Sequence, residues 1–399
     1  MDVPQEIHRP APTAPDTTTK RKPGVKAAIH ALRAEFFVAG ALFATWGVHV
    51  PAVKAHYGLG ERSLAVAMLA SGAGAVLALL QAGRVLARHA PRRVVPLMAV
   101  ICVAAVGSLL ATSRYSLLLG LMLAYGMAAA LFDVAINDEA TAIERHTGLR
   151  LMSGFHGMFS LGGMAGAAAW SVLARMGVSA PVHLVGASTA LGALALVASR
   201  FMLPHARAAG AAGAPLSLPR GPLLLLGLLA ASGLVGEGAM YDWSVLYLRQ
   251  ELAAPVGLAS LGYASFSGAM ASGRFAGDWV RAHLKPATLL RASGLLAAAG
   301  MILALAVPHP VAALVGFALV GLGFANIVPV LFSAAGQLDG IAAAHGIAAV
   351  SSMGYLGMMV GPPLIGFIAE ARSLTSGLLV VVFFAAVVAA CSRRALHRA

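Results

Sequence analysis

Three carboxylates stand in long apolar stretches of the chain, where an ionised side chain is costly. Glu237 and Asp242 lie within GLVGEGAMYDWSVLYL, and Asp133 lies within LGLMLAYGMAAALFDVAIN. If these stretches cross a membrane, an ionisable residue inside them marks a functional position by default. The chemistry open to such a carboxyl is proton transfer or recognition of a polar solute.

The composition indicates that lipid surrounds most of the chain. Of its 399 residues, 59% are hydrophobic and only 11% are charged, whereas soluble domains carry about 25% charged residues. Helices are favoured because lipid offers no partner to unpaired backbone groups, and the alternating pattern of a membrane barrel is absent. The only two cysteines lie in apolar runs, which argues against a disulfide framework and against a metal site.

Twelve apolar segments predict an all-α polytopic membrane protein with two pseudo-symmetric bundles of six transmembrane helices each. We expect a disordered basic tail over 1–30, one bundle over 31–203, a cytoplasmic linker over 204–221, and a second bundle with a short basic tail over 222–399. The expected spans are 34–55, 63–83, 94–112, 116–138, 151–174, 181–202, 222–248, 257–277, 286–307, 311–334, 344–369 and 375–391.

Basic residues predict that both termini lie in the cytoplasm, because Lys and Arg concentrate in cytoplasmic loops. This distribution between hydrophobic spans fits membrane topology and not a nucleic-acid surface, despite the net charge of +13. All but six of the 28 Lys and Arg residues fall on the side of the termini; the six are Lys54, Arg62, Arg114, Arg175, Arg249 and Arg372.

The two halves repeat short motifs at nearly constant offsets. GRVL at 83–86 matches GRFA at 273–276, and LGGMAG at 161–166 matches LGMMVG at 356–361. One six-helix unit therefore occurs twice. Two such units enclose a cavity at their interface, where transporters of this architecture bind substrate.

The chain resembles the major facilitator superfamily in its span count, its central linker and the loop motif GRFAGDWVR at 273–281. The first-half equivalent, GRVLARHAPRR, lacks the aspartate. The stretches FDVAINDEATAIERHTGLRLMSGFHGMFSLGG and EGAMYDWSVLYLR resemble a poorly characterised bacterial inner-membrane subgroup. The resemblance implies an inner-membrane location and gating roles for Gly273, Arg274, Gly277, Asp278 and Arg281, and for Gly83 and Arg84.

Asp278 has two interpretations. The resemblance implies that it accepts hydrogen bonds from the N-terminus of span 5, near 152–154, where backbone N–H groups lack partners. The alternative is an interfacial carboxylate paired with Arg281.

The two carboxylates of span 7 are expected at different depths in the membrane. At 1.5 Å per residue from Pro222, Glu237 lies roughly 22 Å deep and Asp242 roughly 30 Å deep. Asp242 is therefore expected at the outer rim, wet and facing Arg249. Glu237 has no evident cationic partner and is the first candidate for proton coupling, with a permanently protonated structural role as the alternative.

Asp133 is the second candidate for proton coupling, roughly 26 Å from the outer face. Asn137 lies one turn away on the same face, and His156 of span 5 is expected at similar depth. The three residues predict a cluster that relays a proton or holds a gate. A polar network that only ties spans 4 and 5 together is equally compatible.

Further candidates lie on other spans. Asn326 needs hydrogen-bond partners if buried and is a candidate for contact with solute, while Trp46 and Tyr355 could stack on a ring or simply pack. Pro362 and Pro363 are expected to kink or break span 11, which favours a gating role. Two acidic residues are expected to be ordinary interfacial or solvated charges: Glu35 and Glu144.

The sequence predicts a secondary active transporter that moves a small polar solute, such as a sugar, by proton-coupled symport. A proton-driven exporter of metabolites or amphipathic drugs is the alternative, and a membrane sensor or assembly factor that has kept the fold is another. P-loop and nucleophile-elbow motifs are absent, so we expect no enzyme and no cofactor. The expected partners are solute, protons and the bilayer, and the expected state is a monomer.

Overall fold

The computed structural model describes residues 24–204, 220–338, 341 and 343–396, and no strand occurs among them. Most of the expected tail and linker therefore lie outside the described residues. The helices of the first half are α1 (Val25–Tyr57), α2 (Glu61–Arg88), α3 (Pro91–Gly107), α4 (Tyr115–Thr147), α5 (Met152–Arg175) and α6 (Ala180–Ala198). The helices of the second half are α7 (Pro222–Gln250), α8 (Val256–Phe275), α9 (Gly277–His283), α10 (Pro286–Ala306), α11 (Pro310–Phe324), α12 (Ile327–Ala335), α13 (Ala343–Ala371) and α14 (Leu374–Leu396).

Twelve of these segments cross the membrane. Ten are long and apolar enough by themselves, with α11 and α12 together forming one of them. The other two are α3, with only 17 residues, and α8, which carries an arginine in its last turn. Each packs along crossing helices, α3 against α4 and α6, and α8 against α5 and α11, so both lie within the membrane layer. The expected fold class is confirmed.

Eleven of the twelve segments begin within three residues of the expected positions, and α1 is the exception because it begins at Val25. Its first turns are amphipathic: Lys26, His30 and Arg33 are exposed, while Ala28 and Leu32 are buried. The exposed charges made this stretch resemble a polar tail. Helical periodicity keeps its apolar face on the bundle.

The tenth and eleventh segments differ from expectation. The tenth is interrupted between α11 and α12, where Pro329 in the first turn of α12 cannot donate to the carbonyl of Ala325. By contrast, α13 runs unbroken through Pro362 and Pro363, so the expected break does not occur there, and the alternative of a kink stays a prediction. Packing holds α13 in place, because Gly357 and Gly361 bring it close to the backbone of α7.

Small residues let helices pack backbone to backbone. An added Cβ at Gly40 would lie 1.8 Å from the carbonyl oxygen of Phe159, and one at Gly162 would lie 2.0 Å from that of Phe37. One glycine on each helix thus allows the backbones of α1 and α5 to make close contact. Such close contact is a main source of helix association in lipid.

The side on which α1 begins and α14 ends is called the terminal side, and the opposite side is called the far side. On the far side the two halves are joined. Ser171 of α5 donates a hydrogen bond to the carbonyl of Gly257 at 2.6 Å, and the backbone N–H of Arg62 donates to the Glu370 carboxylate at 3.2 Å. The far side is therefore closed.

Candidate functional site

A buried ion pair lies at the centre of the candidate site. Arg274 donates from Nη2 to Oε1 of Glu237 at 3.0 Å and to Oε2 at 3.3 Å. Both residues are buried, with 5% of Glu237 and 9% of Arg274 exposed. The expectation that Glu237 lacks a cationic partner is therefore wrong. Arg274 belongs to the last turn of α8, at the terminal-side end of that helix.

Arg274 also connects the two halves of the protein. Its Nη1 donates to Ser160 Oγ of α5 at 2.7 Å and approaches the carbonyl of His156 at 3.5 Å. The carbonyl of Arg274 accepts a hydrogen bond from Ser153 Oγ at 2.9 Å. One guanidinium thus binds the carboxylate of α7 and the backbone and hydroxyl of α5.

Aromatic rings from both halves surround Tyr241, which binds the ion pair. Tyr241 donates its hydroxyl to Glu237 Oε1 at 3.1 Å, and its ring lies 5.3 Å from Phe43 of α1 and 5.2 Å from Tyr263 of α8, between ring centroids. Phe159 of α5 lies within 6.3 Å of the same ring. Charged groups beside aromatic faces can bind a polar solute that also presents apolar C–H surface.

Asp242 is not the wet rim residue expected from depth. It is only 8% exposed, and its Oδ1 accepts a hydrogen bond from Trp46 Nε1 of α1 at 3.0 Å. Arg249, the expected partner, instead donates to the carbonyl of Ala254 at 2.7 Å. Trp46 is thus a buried hydrogen-bond donor that links the two halves.

Asp133 forms a second polar site between the halves. Its Oδ2 accepts from the Tyr355 hydroxyl of α13 at 3.1 Å, and its Oδ1 accepts from Asn137 Nδ2 at 3.1 Å. Tyr355 is 41% exposed and Asp133 is half-buried, so this pair is less enclosed than the Glu237–Arg274 pair. The expected contact with His156 does not form in the described residues, because the His156 ring packs edge-on against Phe36 instead.

The loop motif makes different contacts from those that the resemblance implies. Asp278 pairs with Arg281, as in the alternative interpretation. The N–H groups of Leu151 and Met152, at the start of α5, donate to Glu144 Oε1 at 2.5 and 2.9 Å. Glu144 is therefore a structural cap and not merely a solvated charge.

Asn326 stabilises this loop from the break between α11 and α12. Its Oδ1 accepts from Arg281 at 3.4 Å, and its Nδ2 donates to the carbonyl of Gly273 at 3.4 Å. An added Cβ at Gly277 would lie 2.7 Å from Asn326 Oδ1, so a glycine is needed there for the approach. Both polar ends of Asn326 are engaged within the second half.

The first-half motif occupies a different environment. Arg84, the counterpart of Arg274, is exposed and donates to Gln81 in the same helix at 3.2 Å, and Gly83 also lies within α2. Glu35, expected at the interface with water, is fully buried. In the part of the chain that the structure describes, no three His, Cys, Asp or Glu residues form a metal site.

Ser160 and Tyr241 are site residues that the sequence analysis missed. Tyr241 lies one turn from Glu237 in the same helix, and this i, i+4 spacing is a signal that could have identified it. Ser160 shares no motif with Arg274, and only the packing of α5 against α8 brings them together.

Comparison with known proteins identifies the family. The model of the Major Facilitator Superfamily matches residues 34–344. The chain belongs to the major facilitator superfamily. Members of this superfamily are membrane transporters, and this chain accordingly is a multi-pass membrane transporter of that kind.

Bacterial relatives in the superfamily cover nearly the whole chain. An uncharacterized MFS-type transporter of Yersinia pestis is 35% identical over 373 residues, which are 93% of this chain and 96% of the relative. Membrane protein MosC of Rhizobium meliloti is 34% identical over 391 residues, with 95% of both chains covered.

Solved structures of superfamily transporters share the fold. A D-xylose–proton symporter has a TM-score of 0.74 at 12% identity and covers 92% of this chain and 97% of its own. A bacterial homologue of the human lysosomal transporter Spinster, inward-facing and occupied, has a TM-score of 0.73 at 13% identity, with 94% and 97% covered. The fucose:proton symporter FucP of E. coli has a TM-score of 0.63 at 16% identity, with 94% and 99% covered.

Proposed function

We propose that this protein is a secondary active transporter that moves a small polar solute, such as a sugar, together with protons by alternating access. The observation that carries the proposal is the buried Glu237–Arg274 pair, which also binds Ser160 across the interface between the halves. Charged groups buried inside a membrane protein are costly and mark substrate or ion pathways.

The transport step follows from the contacts of this pair. Protonation of Glu237 would neutralise the partner of Arg274 and leave the guanidinium free to bind an oxygen of the solute. The neighbouring rings of Tyr241 and Phe43 would pack against the apolar face of that solute. Proton and solute would then occupy the site together, which is the requirement for symport.

Asp133 is the second proposed proton carrier. Its bond to Tyr355 joins α4 of the first half to α13 of the second, and its side chain is half-buried. A change in the charge of this carboxyl would therefore alter a contact between the halves. We further propose that the terminal side faces the cytoplasm, as the distribution of Lys and Arg favours.

Two of the related folds are named as proton symporters, for D-xylose and for fucose. At their low identity they support the fold alone, and the proposed coupling depends on the carboxylates of this chain. An exporter is the second candidate, because aromatic rings beside a charged pair would also suit an amphipathic solute.

The test uses the purified protein in liposomes that enclose a pH-sensitive dye. Pools of sugars, amino acids and organic acids are added outside, and the internal pH is followed. Symport acidifies the interior as solute enters, whereas exchange of solute for protons makes it alkaline. The absence of any solute-dependent pH change would contradict proton coupling.

Single substitutions then test which carboxylates carry the protons. Glu237→Gln and Asp133→Asn should each lower the proton-linked flux at least about tenfold, as expected when a group required for transport is lost. The matched control is Asp138→Asn, since Asp138 lies on α4 but lines a separate pocket beside Arg88 and His89. Undiminished flux in Glu237→Gln would remove Glu237 from the mechanism.

A further inference from the structure

Asp242 is a buried carboxyl with no cation beside it. The indole of Trp46 is the hydrogen-bond donor to it, and none of the ion pairs among the described residues includes it. Glu237, five positions earlier on α7, is by contrast held by Arg274. The two carboxyls of α7 therefore differ in charge compensation, and Asp242 is the uncompensated one.

The helices packed around Asp242 bring hydroxyls toward it, and their buried cations are engaged elsewhere: Arg274 of α8 binds Glu237, and Lys54 of α1 binds Glu61. Tyr125 of α4 and Tyr263 of α8 lie close enough to interact with its charge, and the Tyr263 hydroxyl has no partner in the described structure. On α1, His49 turns away and stacks on His183. The α11 and α12 segments carry no ionisable side chain.

The ionisable residues of α13 and α14 either bind another residue or lie near the ends of their helices. Tyr355 donates to Asp133. The remaining ones lie near the helix ends: His345, Glu370, Cys391, Arg393 and Arg394.

Closure of the far side is what buries Asp242. Trp46 belongs to the first half and Asp242 to the second, so their hydrogen bond exists only while the halves are together. At the adjacent Gly47, an added Cβ would lie 2.6 Å from the carbonyl oxygen of Tyr241. The α1 and α7 backbones are therefore in direct contact over this carboxyl.

An ionised carboxylate with a single neutral donor is very costly to bury, whereas the neutral acid is not. On the basis of the proposed transport function, we propose that Asp242 must take up a proton for the far side to close, so that it couples proton binding to closure. The proton comes from water on the far side and adds to the carboxylate oxygen. The proton returns to water either when the far side reopens or when Asp242 releases it toward the terminal side.

The test measures the distance across the far side by double electron–electron resonance. Spin labels are attached at Arg62→Cys and Arg372→Cys, both exposed positions on opposite halves, after replacement of Cys102 and Cys391. Distances are recorded from about pH 5 to about pH 9, a range in which buried carboxyls titrate. The closed-to-open ratio should fall as pH rises, by up to about tenfold per pH unit.

Asp242→Asn should stay closed throughout, because its side chain is neutral at every pH. The control Asp138→Asn should retain the wild-type response. Trp46→Phe, which removes the donor, should lower the closed-to-open ratio about fivefold at each pH, as expected for one buried hydrogen bond.

A wild-type pH response that persists in Asp242→Asn would overturn the proposal, and so would a wild-type distance that does not change with pH. The distance measurement needs no solute. If closure follows pH through Asp242 but no solute is transported in liposomes, then the proposed function fails and this inference stands.

Discussion

Arg274 joins α8 to both α7 and α5 through one side chain. It binds Glu237 and Ser160 at 3.0 and 2.7 Å, and its own carbonyl accepts from Ser153. Its counterpart Arg84 remains exposed on α2 and donates to Gln81 of the same helix. The same Gly-Arg pair thus forms a central link in one half and a surface charge in the other, because only α7 presents a carboxylate at that position.

The ion pair makes a prediction at the residue scale. Arg274→Gln should destabilise the protein by about 3–5 kcal/mol, because it leaves the Glu237 carboxylate buried without its partner. The double variant Glu237→Gln/Arg274→Gln should be less destabilised than the sum of the two single variants, because the two side chains are coupled. Thermal unfolding in detergent measures all three proteins, and strictly additive effects would contradict the proposed pairing.

At the residue scale, the sequence could identify Glu237 but not its environment. A carboxylate in an apolar run stands out in any membrane protein. Its partner lies 37 residues away on another helix, and sequence spacing carries no information about that contact. Asp242 was misplaced for a related reason, since depth along one helix cannot show that α1 of the other half covers it.

Helix packing in this protein depends on where glycines meet neighbouring backbones. Gly40 and Gly162 allow α1 and α5 to touch. Gly74 and Gly126 do the same for α2 and α4, where an added Cβ would lie 2.1 Å and 1.9 Å from a carbonyl oxygen. By contrast, nothing lies within 4 Å of an added Cβ at Gly120 of α4 or Gly154 of α5, so the effect of a substitution depends on which glycine is replaced.

Two alanine substitutions test this at the scale of the helix. Gly162→Ala should destabilise the protein by about 1–3 kcal/mol, because the new Cβ would force α1 and α5 apart. Gly186→Ala is the matched control: no atom lies within 4 Å of its added Cβ, and alanine favours the helix by up to about 1 kcal/mol. Equal unfolding temperatures for the two variants would contradict the proposed packing.

Helix positions could be predicted well because a span needs about 20 apolar residues. The interruption of the tenth segment could not be predicted, because Pro329 resembles any proline near the start of a helix. By local sequence rules, the adjacent Pro362 and Pro363 should disrupt their helix more than Pro329 does. The effect of these two prolines on α13 depends on its neighbours, because Gly357 and Gly361 bring α13 into close contact with the backbone of α7, which holds it in place. Local sequence rules do not include that support.

Across the whole molecule, the halves meet on the far side through several independent contacts. These include the Trp46–Asp242 bond, the Ser171–Gly257 bond and the bond between the Arg62 backbone and Glu370. Alternating access requires that these contacts break once per cycle. The internal repeat predicted the two halves, but their state of closure follows from contacts between residues far apart in the chain.

A reducible cross-link tests whether the far side must open. Arg62→Cys and Glu370→Cys, joined by a short thiol-specific reagent in a chain lacking Cys102 and Cys391, should stop transport almost completely. Reduction of the linker should restore it. Each single cysteine variant, treated with the same reagent, is the control. Full transport by the cross-linked protein would show that the far side does not open during the cycle.

The most direct test of proton-driven transport is accumulation of solute against its own gradient. Liposomes containing the protein are given an interior alkaline pH, and a radiolabelled solute that moves protons in the dye assay is followed over time. We expect an internal concentration above the external one, abolished by a protonophore and absent in Glu237→Gln. Uptake that stops at equal concentrations, whatever the pH gradient, would contradict proton-driven transport.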